Sequence, residues 1–364
     1  MDFSLTQEQQ ALQDSVRRFC EREYGFEQRR KLLAGDDGFA RANWSTFAEL
    51  GWLGAGLPEE AGGYGGGPVE NMIILEQMAR ALVLEPFLSC AVLAVQAIVA
   101  QATPDQRAAL LEPIVAGECL VALAHDGPGA TTAEPRKAGY ILNGRKNFVL
   151  GGPSADLLLV SARHADSGVS LFQVDPNAAG VKRLNYHAVD GRRVSDIVLD
   201  SVAVGRDALL GIEGGALPAI ELAIDHAVIG LCAEAVGAMD AALWLTRDYL
   251  QTRKQFGQTL GSFQALQHRM ADMLIETELA RSMLYRGVAA LGETDPVARR
   301  KGVSAAKVQI GEAGYFVGGQ AIQLHGGIGL TEEYSVGHYF KRLTLVRGLF
   351  GTTDTHLACF AAAP

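Results

Sequence analysis

Hydrophobic periodicity changes twice along this 364-residue chain, and that order of periods limits the available folds more than any single motif does. Up to about residue 117 the apolar residues recur at helical spacing. Thr6 and Gln9 make a capping-box pattern, and Leu12, Val16 and Phe19 follow on one helical face. The segment "GLPEEAGGYGGGPVE" interrupts the helices with glycines from Gly62 to Gly67 broken only by Tyr64, a loop suited to tight backbone paths. From about Glu118 the period shortens towards two. "ECLVALAH", "GYILNGRKNFVLGG", "DLLLVSAR", "VSLFQVD" and "VSDIVLDSVAV" are short β-branched runs bounded by Gly, Asp, Asn and Pro, which read as antiparallel strands of a sandwich or barrel. From about Glu213 long helical patterns return, with Phe263, Leu266, Met270, Met273 and Leu274 expected on one side of their helix. Three or four such helices match a four-helix bundle. The expected organisation is α+β: an N-terminal helical domain over 1–117, a middle antiparallel β domain over 118–212 and a C-terminal helical bundle over 213–364.

Composition removes several classes of function. A net charge of −9 without any Lys/Arg run argues against a nucleic-acid partner. The start "MDFSLTQEQQ" has neither the basic nor the apolar part of a signal peptide, and no apolar stretch is expected to reach the roughly 20 residues that span a bilayer, so no membrane partner and a cytoplasmic location are expected. Cys20, Cys90, Cys119, Cys232 and Cys359 are scattered, odd in number and without a CxxC pair, which points to buried thiols and to no metal site.

Two motifs in the last third suit a phosphate-containing ligand. Arg253 in "RKQFGQTLGSFQALQHRMADM" offers a fork of donors fitted to a diphosphate oxygen, and Phe256 offers an aromatic face to an adenine or ribose. In "QLHGGIGL" the bare backbone of Gly326, Gly327 and Gly329 permits close approach, and Gln323 carries an amide donor. Taken alone, the first motif reads better as an exposed Arg and a core Phe, and the second is a weak signal because glycine turns are common.

Together with the terminal "LFGTTDTH", the N-terminal "GLPEEAGGYGGGPVE" and the middle "LNGRKNFVLGGPSADLLLV", these motifs resemble the acyl-CoA dehydrogenase family in order along essentially the whole chain. The resemblance implies the acyl-CoA dehydrogenase fold and FAD as cofactor. It implies that Arg253, Gln255, Phe256, Gln323, Gly326 and Gly327 hold the pyrophosphate and adenosine end of a FAD whose ring lies in a neighbouring subunit. It also implies that Thr352, Asp354 and Phe148 approach a flavin. Family members oxidise an acyl-CoA thioester between its α and β carbons: a carboxylate takes the α proton, the flavin takes the β hydride, and electrons pass to an electron-transfer flavoprotein.

The chain departs from that pattern where the base belongs. Aligning Gly351 and Thr352 with the family's Gly-Thr puts Phe350 in place of the usual glutamate, and Ala227 falls at the alternative position on the first long bundle helix. Asp225, His226 and Glu234 are the nearby titratable groups. In the middle domain Thr132, Glu134 and Pro135 echo the family's Thr-Glu-Pro loop out of order, and Leu150 stands where a hydroxyl would hydrogen-bond the flavin ring. A chain with intact donor motifs and an eroded site of its own resembles the small subunits of heteromeric members, such as those of pimeloyl-CoA and bacterial steroid side-chain dehydrogenases. The implied partner is a homologous large subunit, in an α2β2 assembly serving β-oxidation of a fatty acid or steroid side chain. A homo-oligomeric dehydrogenase with an atypical base, and a scaffold or monooxygenase-like member of the same fold, remain open.

Overall fold

The computed structural model describes residues 4–125, 131–165 and 168–362. The N-terminal helices are α1 (Gln7–Glu23), α2 (Phe26–Ala34), α3 (Arg41–Glu49), α4 (Pro68–Arg80), α5 (Val95–Gln101) and α6 (Pro104–Val115). The capping box at Thr6 forms as expected, with Thr6 Oγ1 accepting from the Gln9 amide and Gln9 answering to Thr6 N. A second, at Thr103 and Gln106, opens α6. A π-helical turn over Leu88–Ala94 leads directly into α5.

The strands are β1 (Val121–Ala124), β2 (Thr131–Arg136), β3 (Gly139–Leu150), β4 (Leu157–Arg163), β5 (Val169–Val174), β6 (Val181–His187), β7 (Arg193–Gly205) and β8 (Leu209–Leu210). They form one sheet in the order β6-β7-β3-β2-β4-β5-β8, with β1 paired to β4. The sheet is mixed, where purely antiparallel strands were expected: β1 and β2 both run parallel to β4. Alternation of period two reports which face of a strand is buried and carries no information on the direction of its neighbour.

The C-terminal helices are α7 (Leu217–Thr252), α8 (Gln264–Ala290), α9 (Pro296–His325), α10 (Val336–Gly348) and α11 (Thr353–Ala362), and a short hairpin of β9 (Lys254–Gln255) and β10 (Gln258–Thr259) follows α7. α7 corrects one sequence reading, because it is long and apolar enough to cross a membrane. Its most apolar window is 83% buried inside the protein, so its apolar surface is used in the core, as expected of a helix hydrophobic all round. On α8 the buried residues are Met273, Thr277, Ala280, Leu284, Gly287 and Ala290. Leu274 belongs to the other side and is 42% exposed, contrary to its expected place beside Met273.

The described residues cluster into two compact units. One takes in Leu32–Gly67 and Leu84–Ala227. Its core lies under the sheet, with Leu142, Leu158, Val160, Phe172, Ile197 and Val202 fully buried. The other takes in Met1–Lys31, Pro68–Val83 and Val228–Pro364. There α4 and α7 touch backbone to backbone: a Cβ at Gly237 would lie 2.1 Å from the Glu76 carbonyl oxygen, so no larger residue fits. A charge network ties the same two helices to α8, Arg281 on α8 binding the buried Glu76 and Asp240, and the exposed Arg80 binding Asp240.

Candidate functional site

Five residues other than glycine adopt left-handed φ among those described, and three of them are Phe148 (φ +52), Phe256 (φ +53) and Phe350 (φ +57). A Cβ-bearing residue in that region costs roughly 1–2 kcal/mol, so bulky aromatics there call for a cause. Each of the three is also a position singled out from the sequence.

Phe148 lies where β3 bulges against β7, in the register shift between Lys146 and Val149. Asp196 on β7 closes the bulge. Its Oδ1 accepts from the Phe148 amide at 2.9 Å and from the Tyr186 hydroxyl at 2.8 Å, and its Oδ2 accepts from Arg145. Burial alone would raise the Asp196 carboxyl, but the Phe148 amide, Arg145 and Tyr186 together hold it below its ordinary value. The Phe148 ring, half-buried, meets Tyr186 edge-on at 6.2 Å. Thr132, Glu134 and Pro135 are not a displaced flavin loop: they lie in β2, paired with Asn143, Ile141 and Tyr140 of β3. The loop that follows β1 begins at His125, whose Nδ1 sits 2.8 Å from Ser161 Oγ, and residues 126–130 of the expected loop lie outside the described residues.

Phe256 and Gly257 form the two-residue turn between β9 and β10, both with positive φ. That matches the turn whose twist suits a tight hairpin. The Phe256 ring is 89% exposed, with only an edge-on contact to Phe263 at 6.3 Å among the ring contacts. Arg253 is exposed at the base of this hairpin, and its amide bonds back to Tyr249 O at 2.8 Å. Tyr249 in turn stacks on His325 at 4.5 Å, which joins the end of α7 to the end of α9 where Gly326 and Gly327 follow. A Cβ at either glycine would meet nothing within 4 Å. His325 is buried, donates Nδ1–H to Ala321 O at 2.8 Å and leaves Nε2 without a partner. Exposed Arg253 and Phe256, an open glycine cradle and an orphaned buried acceptor fit the diphosphate and adenosine end of a dinucleotide.

Phe350 and Gly351 connect α10 to α11. No carboxylate stands at 350. Glu234, on α7, is 5% exposed and accepts from Arg342 Nε at 2.9 Å as well as from Arg342 Nη2, so it serves a buried ion pair. Ala227 is fully buried, Asp225 is 1% exposed and His226 is half-buried. Thr352 accepts from the Thr355 amide at 3.3 Å and so caps α11, in whose first turn Asp354 is exposed. Two residues of this loop's surroundings were missed from the sequence, Lys307 and His356. The available signal was a lysine three residues after Ser304 on the apolar face of α9, a position where a charge needs partners.

A helical, β, helical chain with an exposed hairpin and a glycine turn of this kind fits the class of dinucleotide-binding proteins. The N-terminal, middle and C-terminal domains of acyl-CoA dehydrogenase match residues 6–118, 125–202 and 215–363. Acryloyl-CoA reductase (NADH) of Anaerotignum propionicum is 30% identical, covering 99% of this chain and 95% of its own. A chain of the ChsE4-ChsE5 complex from Mycobacterium tuberculosis superposes with a TM-score of 0.92 at 26% identity, over 100% of this chain and 100% of that one. Butyryl-CoA dehydrogenase from Megasphaera elsdenii superposes with a TM-score of 0.89 at 26% identity, over 100% of this chain and 99% of that one. This chain belongs to the acyl-CoA dehydrogenase family, whose members are FAD-dependent flavoproteins.

Proposed function

We propose that the chain is the base-lacking subunit of a heteromeric FAD-dependent acyl-CoA dehydrogenase, lending its hairpin to a flavin completed by a homologous, catalytically whole subunit. The observation that carries the reading is the contrast between Phe350, a phenyl group in the acid's position, and the exposed Arg253–Phe256 hairpin. The likeness to a complex with two differently named subunits supports it. FAD, when bound, supplies the hydride acceptor for the β carbon of the thioester. Around it, Arg253 would bind the diphosphate as a charged fork, Phe256 would stack on the adenosine end, and Gly326 and Gly327 would admit it to the backbone. In this chain's own middle domain neither Phe148 nor Leu150 has a side-chain donor to offer a flavin ring. α-Proton removal needs an acceptor within hydrogen-bond reach, and neither position 350 nor 227 supplies one. The acyl group, an electron-transfer flavoprotein as acceptor and a cytoplasmic site of action belong to the same proposal.

Expression of the chain alone and with a homologous large subunit tests it. The pair should be yellow and bleach with an acyl-CoA, and the chain alone should not. A lone chain that holds flavin and bleaches with substrate would sink the proposal and favour a homo-oligomer using an atypical base, for which buried Asp225, two residues from Ala227, is the group to replace first.

A further inference from the structure

We propose that Lys307 and His356 are positioning residues for the side chain at 350: they hold the Phe350–Gly351 turn in one strained conformation, so a fixed aromatic side chain stands where the family's acid belongs. The second half of this inference rests on the functional reading above; the clamp itself does not.

Lys307, on α9, is 2% exposed. Its ammonium donates to Val346 O at 2.9 Å, Arg347 O at 3.2 Å and Gly351 O at 3.4 Å. The first two are carbonyls of the last turn of α10, left without helical partners and carrying the negative end of the helix dipole. A buried ammonium is tolerated only with such partners. By reaching Gly351 as well, it ties the helix end to the loop. His356, on α11, completes the clamp. Nε2–H donates to Phe350 O at 3.2 Å, and Nδ1 lies 3.0 Å from Ser304 Oγ, whose hydroxyl donates to it. Burial, then repulsion from Lys307, brings the imidazole down to about 4, so it stays neutral and this tautomer is fixed by its two neighbours. From the outer side Glu312 accepts from Arg347 Nε at 3.0 Å and from Thr353 Oγ1 at 2.8 Å.

The clamp accounts for the backbone. Phe350 is left-handed, and Gly351 has φ +116 with the site of a Cβ only 3.0 Å from His356 Nε2, so glycine alone fits. A loop that had merely lost its acid would have no reason to keep a bulky residue in a left-handed turn. Here four backbone carbonyls, at 346, 347, 350 and 351, are met by two buried side chains.

Hydrogen exchange on the full-length chain reads the clamp, with Lys307→Met, His356→Ala and His356→Gln as variants. The amides of residues 349–353 should exchange about tenfold faster in Lys307→Met and His356→Ala, while His356→Gln, which keeps a donor for Phe350 O, stays near wild type. Peptides from β3 and α8 serve as controls. Unchanged exchange at 349–353 in both disruptive variants overturns the clamp. If Lys307→Met does not fold, the His356 pair carries the comparison. Near-ultraviolet circular dichroism of the same proteins, each with and without Phe350→Ala, reads the positioning of the ring. The part of the aromatic band that Phe350→Ala removes should shrink in Lys307→Met and His356→Ala and be restored in His356→Gln. An aromatic band identical in all variants reduces the clamp to a helix cap and removes its positioning role. The exchange result decides the clamp whether or not the functional reading holds.

Discussion

The terminal loop and the α7–α8 hairpin each hold a phenylalanine in left-handed backbone, yet their surroundings are opposite. Phe350 is half-buried and its carbonyl is bonded by His356, next to a carbonyl bonded by Lys307. Phe256 is 89% exposed, and beside its two-residue hairpin it has an edge-on contact with Phe263. Strain at the first place is offset by groups of the same chain. At the second it is kept without local compensation, as expected of a residue whose stabilising contact is made on binding a ligand or partner.

The comparison breaks most severely if the braced side loses its support. Glu234→Gln leaves Arg342, buried on the inner face of α10, charged, and is expected to destabilise by about 3–5 kcal/mol in denaturant unfolding. A loss under 1 kcal/mol would mean the pair does not anchor that helix. On the unbraced side, Arg253→Ala should leave stability within about 0.5 kcal/mol while lowering FAD retention in the mixed complex about tenfold, measured as the ratio of visible to ultraviolet absorbance. Equal loss of stability and flavin would erase the distinction between the two regions.

A pH series sharpens the contrast further. His356 is held to about 4 by burial and by Lys307, against about 6.5 in an unfolded chain. As pH falls, the unfolded chain takes up this proton first, so the His356 contribution is intact above about 6.5, is lost progressively down to about 4 and then levels off. His356→Gln lacks this titration. Its Tm should therefore change less between pH 7 and pH 4.5 than that of wild type; parallel curves would contradict the assignment. The smallest effect is expected at the hairpin: Phe256→Gly relieves left-handed strain and should stabilise the isolated chain by about 0.5–1 kcal/mol while weakening FAD retention. Destabilisation instead would show that the ring is already packed.

The pattern of periods was enough to place helices before and after a sheet, and Thr6 with Gln9 was enough to start α1, because those signals depend on neighbours three or four residues away. Direction within the sheet was not legible, since β1 and β4 meet through residues 121 and 157, and nothing local records which way they run. The same limit misplaced Thr132, Glu134 and Pro135: a match of residue types suggested a loop, and pairing with β3 made them a strand. Leu274 failed for a related reason, as an apolar residue on a helix has no way to specify whether its face meets a neighbour or remains open.

What the sequence determined by itself is the class of chemistry and its gap: Arg253, Phe256 and the glycines at 326 and 327 are residue types with fixed donor and steric properties, and Phe350 and Ala227 cannot accept a proton in any fold. Only the tertiary structure decided which polar groups stand behind them. Lys307 meets the carbonyls of 346, 347 and 351 across some forty residues, His356 meets Ser304, and Asp196 closes the bulge at Phe148. Those pairings depend on how helices and strands pack, and the strain they sustain at Phe148 and Phe350 exists only once the chain has closed around it.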